Sequence, residues 1–150
     1  QAILQNGNTD EEVSILDIGS GSGSTLAAVV LGVRGSNSDK VKIVGIDGCP
    51  QLFDKLTTQF LPKAKEKLSP GIHLDVKYGD IVENIDRLKL DTVRQDGVAI
   101  VTANYVWHRL PSKYKADLVD KLLAQHDDVI FIINDKKCIE YIFFYKFQES

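Results

Sequence analysis

ILDIGSGSG, residues 15–23, is the stretch from which the fold can be read. An apolar, β-branched run broken only by Asp17 ends in glycines at every second position, Gly19, Gly21 and Gly23, and the composition then turns helical in TLAAVVLGVR, residues 25–34. Strand, glycine turn and helix in that order is a context in which backbone approaches a ligand closely, because glycine has no Cβ and takes positive φ readily. Missing side chains there imply a ligand against the turn.

The same alternation continues along the chain. VSILDIG (13–19), VKIVGID (41–47), IHLDVKYGD (72–80), VAIVTAN (98–104) and VIFIIN (129–134) are short β-branched runs bounded by Gly, Asp or Asn. Between them PQLFDKLTTQF (50–60) reads as a helix opened by Pro50, with Leu52, Leu56 and Phe60 on one stripe, and Pro62 is expected to kink or break it. SKYKADLVDKLLAQ (112–125) reads as a helix capped by Ser112 that turns Leu118, Val119, Leu122 and Leu123 inward, and ENIDRLKL (83–90) as a shorter one. Strands separated by helices predict right-handed parallel crossovers, hence a doubly wound α/β domain with helices on both faces of a mostly parallel sheet. The third strand alternates Ile72, Leu74, Val76 and Tyr78 with His73, Asp75 and Lys77, so it belongs at an edge, whereas the others are apolar on both faces. The expected order is 3-2-1-4-5, with a ligand crevice between the carboxyl ends of the first and fourth strands. The aromatic tail KKCIEYIFFYKFQES is expected to add an edge strand that a partner chain or domain could cover.

Composition narrows the class. A chain of 150 residues, 43% hydrophobic, suits one domain, and a net charge of −3 without a basic run disfavours nucleic acid as a partner. No apolar stretch approaches the roughly 20 residues of a membrane span. Cys49 and Cys138, the only cysteines, fit neither a disulfide framework nor a zinc pattern, which points to a reducing, cytoplasmic location. Three scattered histidines give no metal-ligand spacing, so no metal is expected. A start at Gln1 and the absence of methionine suggest a piece of a longer chain.

The spacing of the turn distinguishes two ligand classes. In a dinucleotide fingerprint the third glycine or alanine falls three positions after the second, where this chain has Ser24. Asp17, two residues before the first glycine, also repels phosphate and suits a cation. ILDIGSGSG resembles the first motif of class I S-adenosylmethionine-dependent methyltransferases, whose cofactor carries a sulfonium and an ammonium and no phosphate. The resemblance continues through VGIDGCP, KYGDIVENI and ANYVWHRLP. It implies that Asp17, Gly19, Ser20, Gly21 and Gly23 form the cofactor turn and that Asp47 accepts both ribose hydroxyls. It further implies that Gly48 and Cys49 follow the ribose and adenine edge, that Asp80 and Ile81 meet the adenine, and that the Asn104 carbonyl meets the methionine ammonium. In the last motif Val106, His108, Leu110 and Pro111 match, while Trp107 and Arg109 replace a leucine and a second histidine. The family usually adds an N-terminal helical segment before the first strand and a helix and hairpin after the fifth.

S-adenosylmethionine is the cofactor this reading implies, with a small molecule or a protein side chain as substrate and His108 as the candidate general base, since its ordinary pKa lies near 6.5. A histidine that orders its loop is the alternative for His108. Two other functions stay open: a methyltransferase-like module that serves as a scaffold in a larger assembly, and, resting on the glycine turn alone, a nicotinamide-dependent dehydrogenase.

Overall fold

The apolar runs lie side by side in one six-stranded sheet. The computed structural model describes residues 13–34, 41–81, 98–104, 106–126, 128–135 and 138–145. Strands β1 (Val13–Ile18), β2 (Val41–Asp47), β3 (His73–Tyr78), β4 (Val98–Asn104) and β5 (Asp128–Asp135) are parallel, and β6 (Cys138–Tyr145) runs antiparallel to β5. The order is β3-β2-β1-β4-β5-β6, so the expected 3-2-1-4-5 core holds and the aromatic tail supplies the far edge.

Both faces of the central strands are covered. On one face Val13 and Ile15 of β1 meet Leu26, Val30 and Val33 of helix α1 (Ser24–Val33), together with Leu56. On the other, Leu16 and Ile18 meet Leu118 and Leu122 of helix α4 (Ser112–Gln125) and Phe131 of β5. Burial on both sides is what makes these strands continuously apolar. At the opposite edge Leu74 and Val76 of β3 are buried, but Tyr78 is 58% exposed and rests edge-on against Phe53, ring centroids 5.4 Å apart.

Two local expectations are revised. Of the kink or break expected at Pro62, the break does not occur: helix α2 (Pro50–Lys55) continues through a π-helical turn (Leu56–Phe60) into α3 (Leu61–Lys67), with Pro62 in the first turn of α3. Leu61 donates its N–H to the Leu56 carbonyl, five residues back, and this wider turn admits a proline whose ring would clash with the i−4 carbonyl of a regular helix. Ser112 is not the cap of α4. Pro111, in extended conformation, holds that position, and its carbonyl accepts the N–H groups of Tyr114 and Lys115 at 3.0 and 3.1 Å. The helix expected over 83–90 lies outside the described residues. Among the described residues no helix is long and apolar enough to cross a membrane.

The start of α1 presses on the sheet at Gly45 of β2. A Cβ there would lie 2.6 Å from Ser20 Oγ and 2.7 Å from Leu26 Cδ1. Gly45→Val is therefore expected to cost about 1–3 kcal/mol through overpacking, read as a lower urea midpoint with unchanged m-value.

Candidate cofactor crevice

The glycine turn sits where the strand order reverses, and its glycines answer different demands. A Cβ on Gly19 would run into Val106 of the segment after β4, and one on Gly23 would lie 2.7 Å from the Phe60 ring, so both glycines permit close packing within the protein. Gly21 is different. Its φ is 58° and a Cβ there would meet nothing among the described residues within 4 Å, which leaves room for a ligand on that side.

The turn is tied to the end of β2. Gly19 and Ser20 both donate their N–H groups to the Ile46 carbonyl, at 2.9 and 3.0 Å. Asp47 then accepts the Gly21 N–H on Oδ2 at 2.7 Å and the Cys49 N–H on Oδ1 at 2.8 Å. A carboxylate oxygen has two acceptor sites, so each oxygen keeps one for a further donor. The ends of β2 and β3 close together in turn: Gly79 donates to the Asp47 carbonyl at 2.9 Å, and a Cβ on Gly48 would come within 3.2 Å of the Gly79 carbonyl oxygen.

These strand ends enclose an open crevice of about 400 Å³, within the range of small-molecule sites. Of the residues singled out from sequence, it brings together Gly19, Asp47, Gly48, Cys49, Asp80 and Ile81. Ile18, Ile46, Gly79, Val106, Arg109 and Leu110 also line it among the described residues. Val106 and Leu110 were matched to the last motif and Arg109 stood there as a departure, but sequence reasoning assigned none of the six a contact in the crevice. Asp17, Ser20, Gly21 and Gly23 are not among the lining residues; Ser20 is buried, its hydroxyl donating to the Asp17 carbonyl at 3.2 Å. Asn104 ends β4, in register with Asn134 of β5. His108 is exposed, in the 3₁₀ turn Trp107–Arg109, and does not line the crevice. The Cys49 thiol lies 3.4 Å from Gln51 Oε1. Among the described residues no group of three or more His, Cys, Asp or Glu could hold a metal ion.

Asp17 lies behind the turn and is fully buried. Its Oδ1 accepts the Thr102 hydroxyl at 2.7 Å, while Oδ2 has no partner among the described residues. Burial pushes its pKa from 3.8 to about 6; the Thr102 and Ser20 hydroxyls oppose the rise, and the negative charge of Asp47 adds to it. A folded-state value above the unfolded one favours the protonated form. The cost is absent below about pH 4 and fully present above about pH 6, so the fold weakens as pH rises through that window. Urea titrations of wild type and Asp17→Asn should show the stability difference moving toward the variant by on the order of 3 kcal/mol between pH 4 and pH 7. A difference that stays flat with pH would contradict this ionisation.

No family model matches the chain, and no curated protein matches it. Solved structures do. The arsenic(III) S-adenosylmethionine methyltransferase of Chlamydomonas reinhardtii is 19% identical with a TM-score of 0.50 over 78% of this chain and 37% of its own. The DszA carbon methyltransferase is 14% identical with a TM-score of 0.52 over 87% and 31%. A candidate RNA methyltransferase from Pyrococcus horikoshii is 17% identical with a TM-score of 0.48 over 91% and 57%. The chain thus spans between about a third and three-fifths of these structures. They lend no support to the expectation, drawn from charge, that nucleic acid is disfavoured as a partner. What the likeness establishes is architecture: the chain has the class I methyltransferase fold.

Proposed function

We propose that the chain is the cofactor-binding part of an S-adenosylmethionine-dependent methyltransferase acting on a small molecule or a protein side chain. One observation carries this reading: two carboxylates, Asp17 and Asp47, flank the glycine turn closely enough for the charge of one to raise the pKa of the other, and a buried oxygen of Asp17 lacks a partner among the described residues. Such a turn repels a pyrophosphate and suits a ligand that is cationic near the turn. The crevice residues fit the rest of that ligand. Asp47 has acceptor capacity left for ribose hydroxyls, Gly48 and Cys49 follow the ribose and adenine edge, and Asp80 with Ile81 meets the adenine, while the Asn104 carbonyl takes the ammonium. The open side of Gly21 leaves space for the amino-acid portion.

The cofactor, when bound, supplies a methyl group already activated on sulfur. The protein's task is then alignment of a nucleophile and exclusion of water, which explains a strong binding signature without a catalytic triad. His108 stays the candidate base, adjacent in sequence to Arg109 of the crevice lining. Its exposure means that it can act only on a substrate held at the mouth. A scaffold role is the second reading, favoured by β6, whose outer edge has no strand partner among the described residues.

Two variants test the reading together. Asp47→Ala is expected to weaken S-adenosylhomocysteine binding ten- to a hundredfold, because a charged acceptor is lost and the turn is released. Binding unchanged within twofold would contradict the pose. In the full-length enzyme His108→Ala is expected to lower methyl transfer by about 10²–10⁴ with cofactor affinity kept if His108 is the base, and to lower affinity and melting temperature together if it orders the loop. Full activity of that variant removes the base assignment.

A further inference from the structure

None of the described residues lining the crevice is aromatic. Its buried apolar members, Ile18, Ile46, Ile81 and Leu110, make an aliphatic floor beside the buried Asp47 carboxylate, and the exposed ones, Gly48, Asp80 and Arg109, make the rim. A purine laid on an aliphatic floor leaves one π face toward the mouth, and such faces are covered by an aromatic ring or by the flat guanidinium of arginine. Among the described residues of the lining, Arg109 carries the only such group.

Its mounting is firm. In the turn Trp107–Arg109, the Arg109 N–H donates to the Val106 carbonyl at 3.0 Å and the Leu110 N–H to the Trp107 carbonyl at 3.1 Å. The Trp107 ring packs on the fully buried Phe131 with centroids 4.8 Å apart, and the Lys115 ammonium lies 5.5 Å from the Trp107 centroid. Trp107 is thereby committed to the protein. Arg109 is left at the opening, on a turn fastened to β5 and α4.

We propose that Arg109 is the stacking lid of a nucleobase subsite, its guanidinium plane closing over the purine face in place of an aromatic ring. The proposal rests on the cofactor reading above, since it needs a purine nucleoside in the crevice. It names a binding residue that the motif resemblance left as a mere replacement.

The test is a calorimetric titration with two probes, S-adenosylhomocysteine and adenosine, on wild type, Arg109→Lys, Arg109→Gln and Arg109→Trp, with ligand-free melting as the folding control for this exposed site. The lid predicts that Lys and Gln weaken both probes about three- to thirtyfold, and that Trp, which restores a flat π surface, keeps both near wild type. Adenosine has no carboxylate, so a loss confined to S-adenosylhomocysteine, or rescue by Lys with failure of Trp, would mean that Arg109 answers an anion and would overturn the lid. Indifferent variants beside normal wild-type binding overturn the lid alone. Failure of wild type to bind either probe contradicts the cofactor reading and the lid with it.

Discussion

The clasp of the Asp47 carboxylate on two backbone N–H groups is the interaction on which the rest of the site depends. Gly21 belongs to the turn after β1 and Cys49 to the start of α2, so one side chain fixes two chain segments at the end of β2. Bonds of this kind, from a charged acceptor to backbone N–H, are short and stronger than neutral ones. Through them the crevice has a defined wall before any ligand arrives. The Ile46 carbonyl, which accepts Gly19 and Ser20 together, completes the same tie from the backbone side.

A second carboxylate is placed less comfortably. Asp17 is satisfied on one oxygen by Thr102 and held in a buried position where its ionised form is disfavoured. Under the proposed cofactor reading, a cation bound beside the turn would offset the cost of ionising it at neutral pH. The glycines fit the same picture. Gly19 and Gly23 let Val106 and Phe60 close in on the turn, whereas only Gly21 opens outward.

Much of the architecture was legible because it is written in local pattern. Val13, Ile15, Leu16 and Ile18 are buried on alternating faces of β1, and that two-sided burial appears in the sequence as a continuous apolar run. The edge position of β3 was legible from its alternation, although Tyr78, at the end of the strand, escaped burial by pairing with Phe53. What local pattern does not encode was missed. The π turn before Pro62 is a change in hydrogen-bond register that no single residue type demands, and Pro111 took the cap expected of Ser112. The direction of β6 depends on how it pairs with β5, beyond what an aromatic tail can state. In the site, Asp17 and Asp47 were named from their place before the turn and at the end of β2. Their partners, Thr102 and Gly21, lie 85 and 26 residues away and required the folded chain. Arg109 was overlooked for the opposite reason: it stood inside a motif as a departure, and its place on the rim follows from how Trp107 and Leu110 anchor the turn around it.

The central claim is that this turn and its two carboxylates hold a nucleoside that is cationic near the turn and carries no pyrophosphate. Parallel titration of the chain with S-adenosylhomocysteine and with NAD, followed by thermal shift, tests it most directly. Saturation at a hundred times the dissociation constant stabilises a folded protein by about 2.7 kcal/mol. The account predicts a shift of that size with S-adenosylhomocysteine and none with NAD. A shift with NAD alone, or with neither, would contradict it.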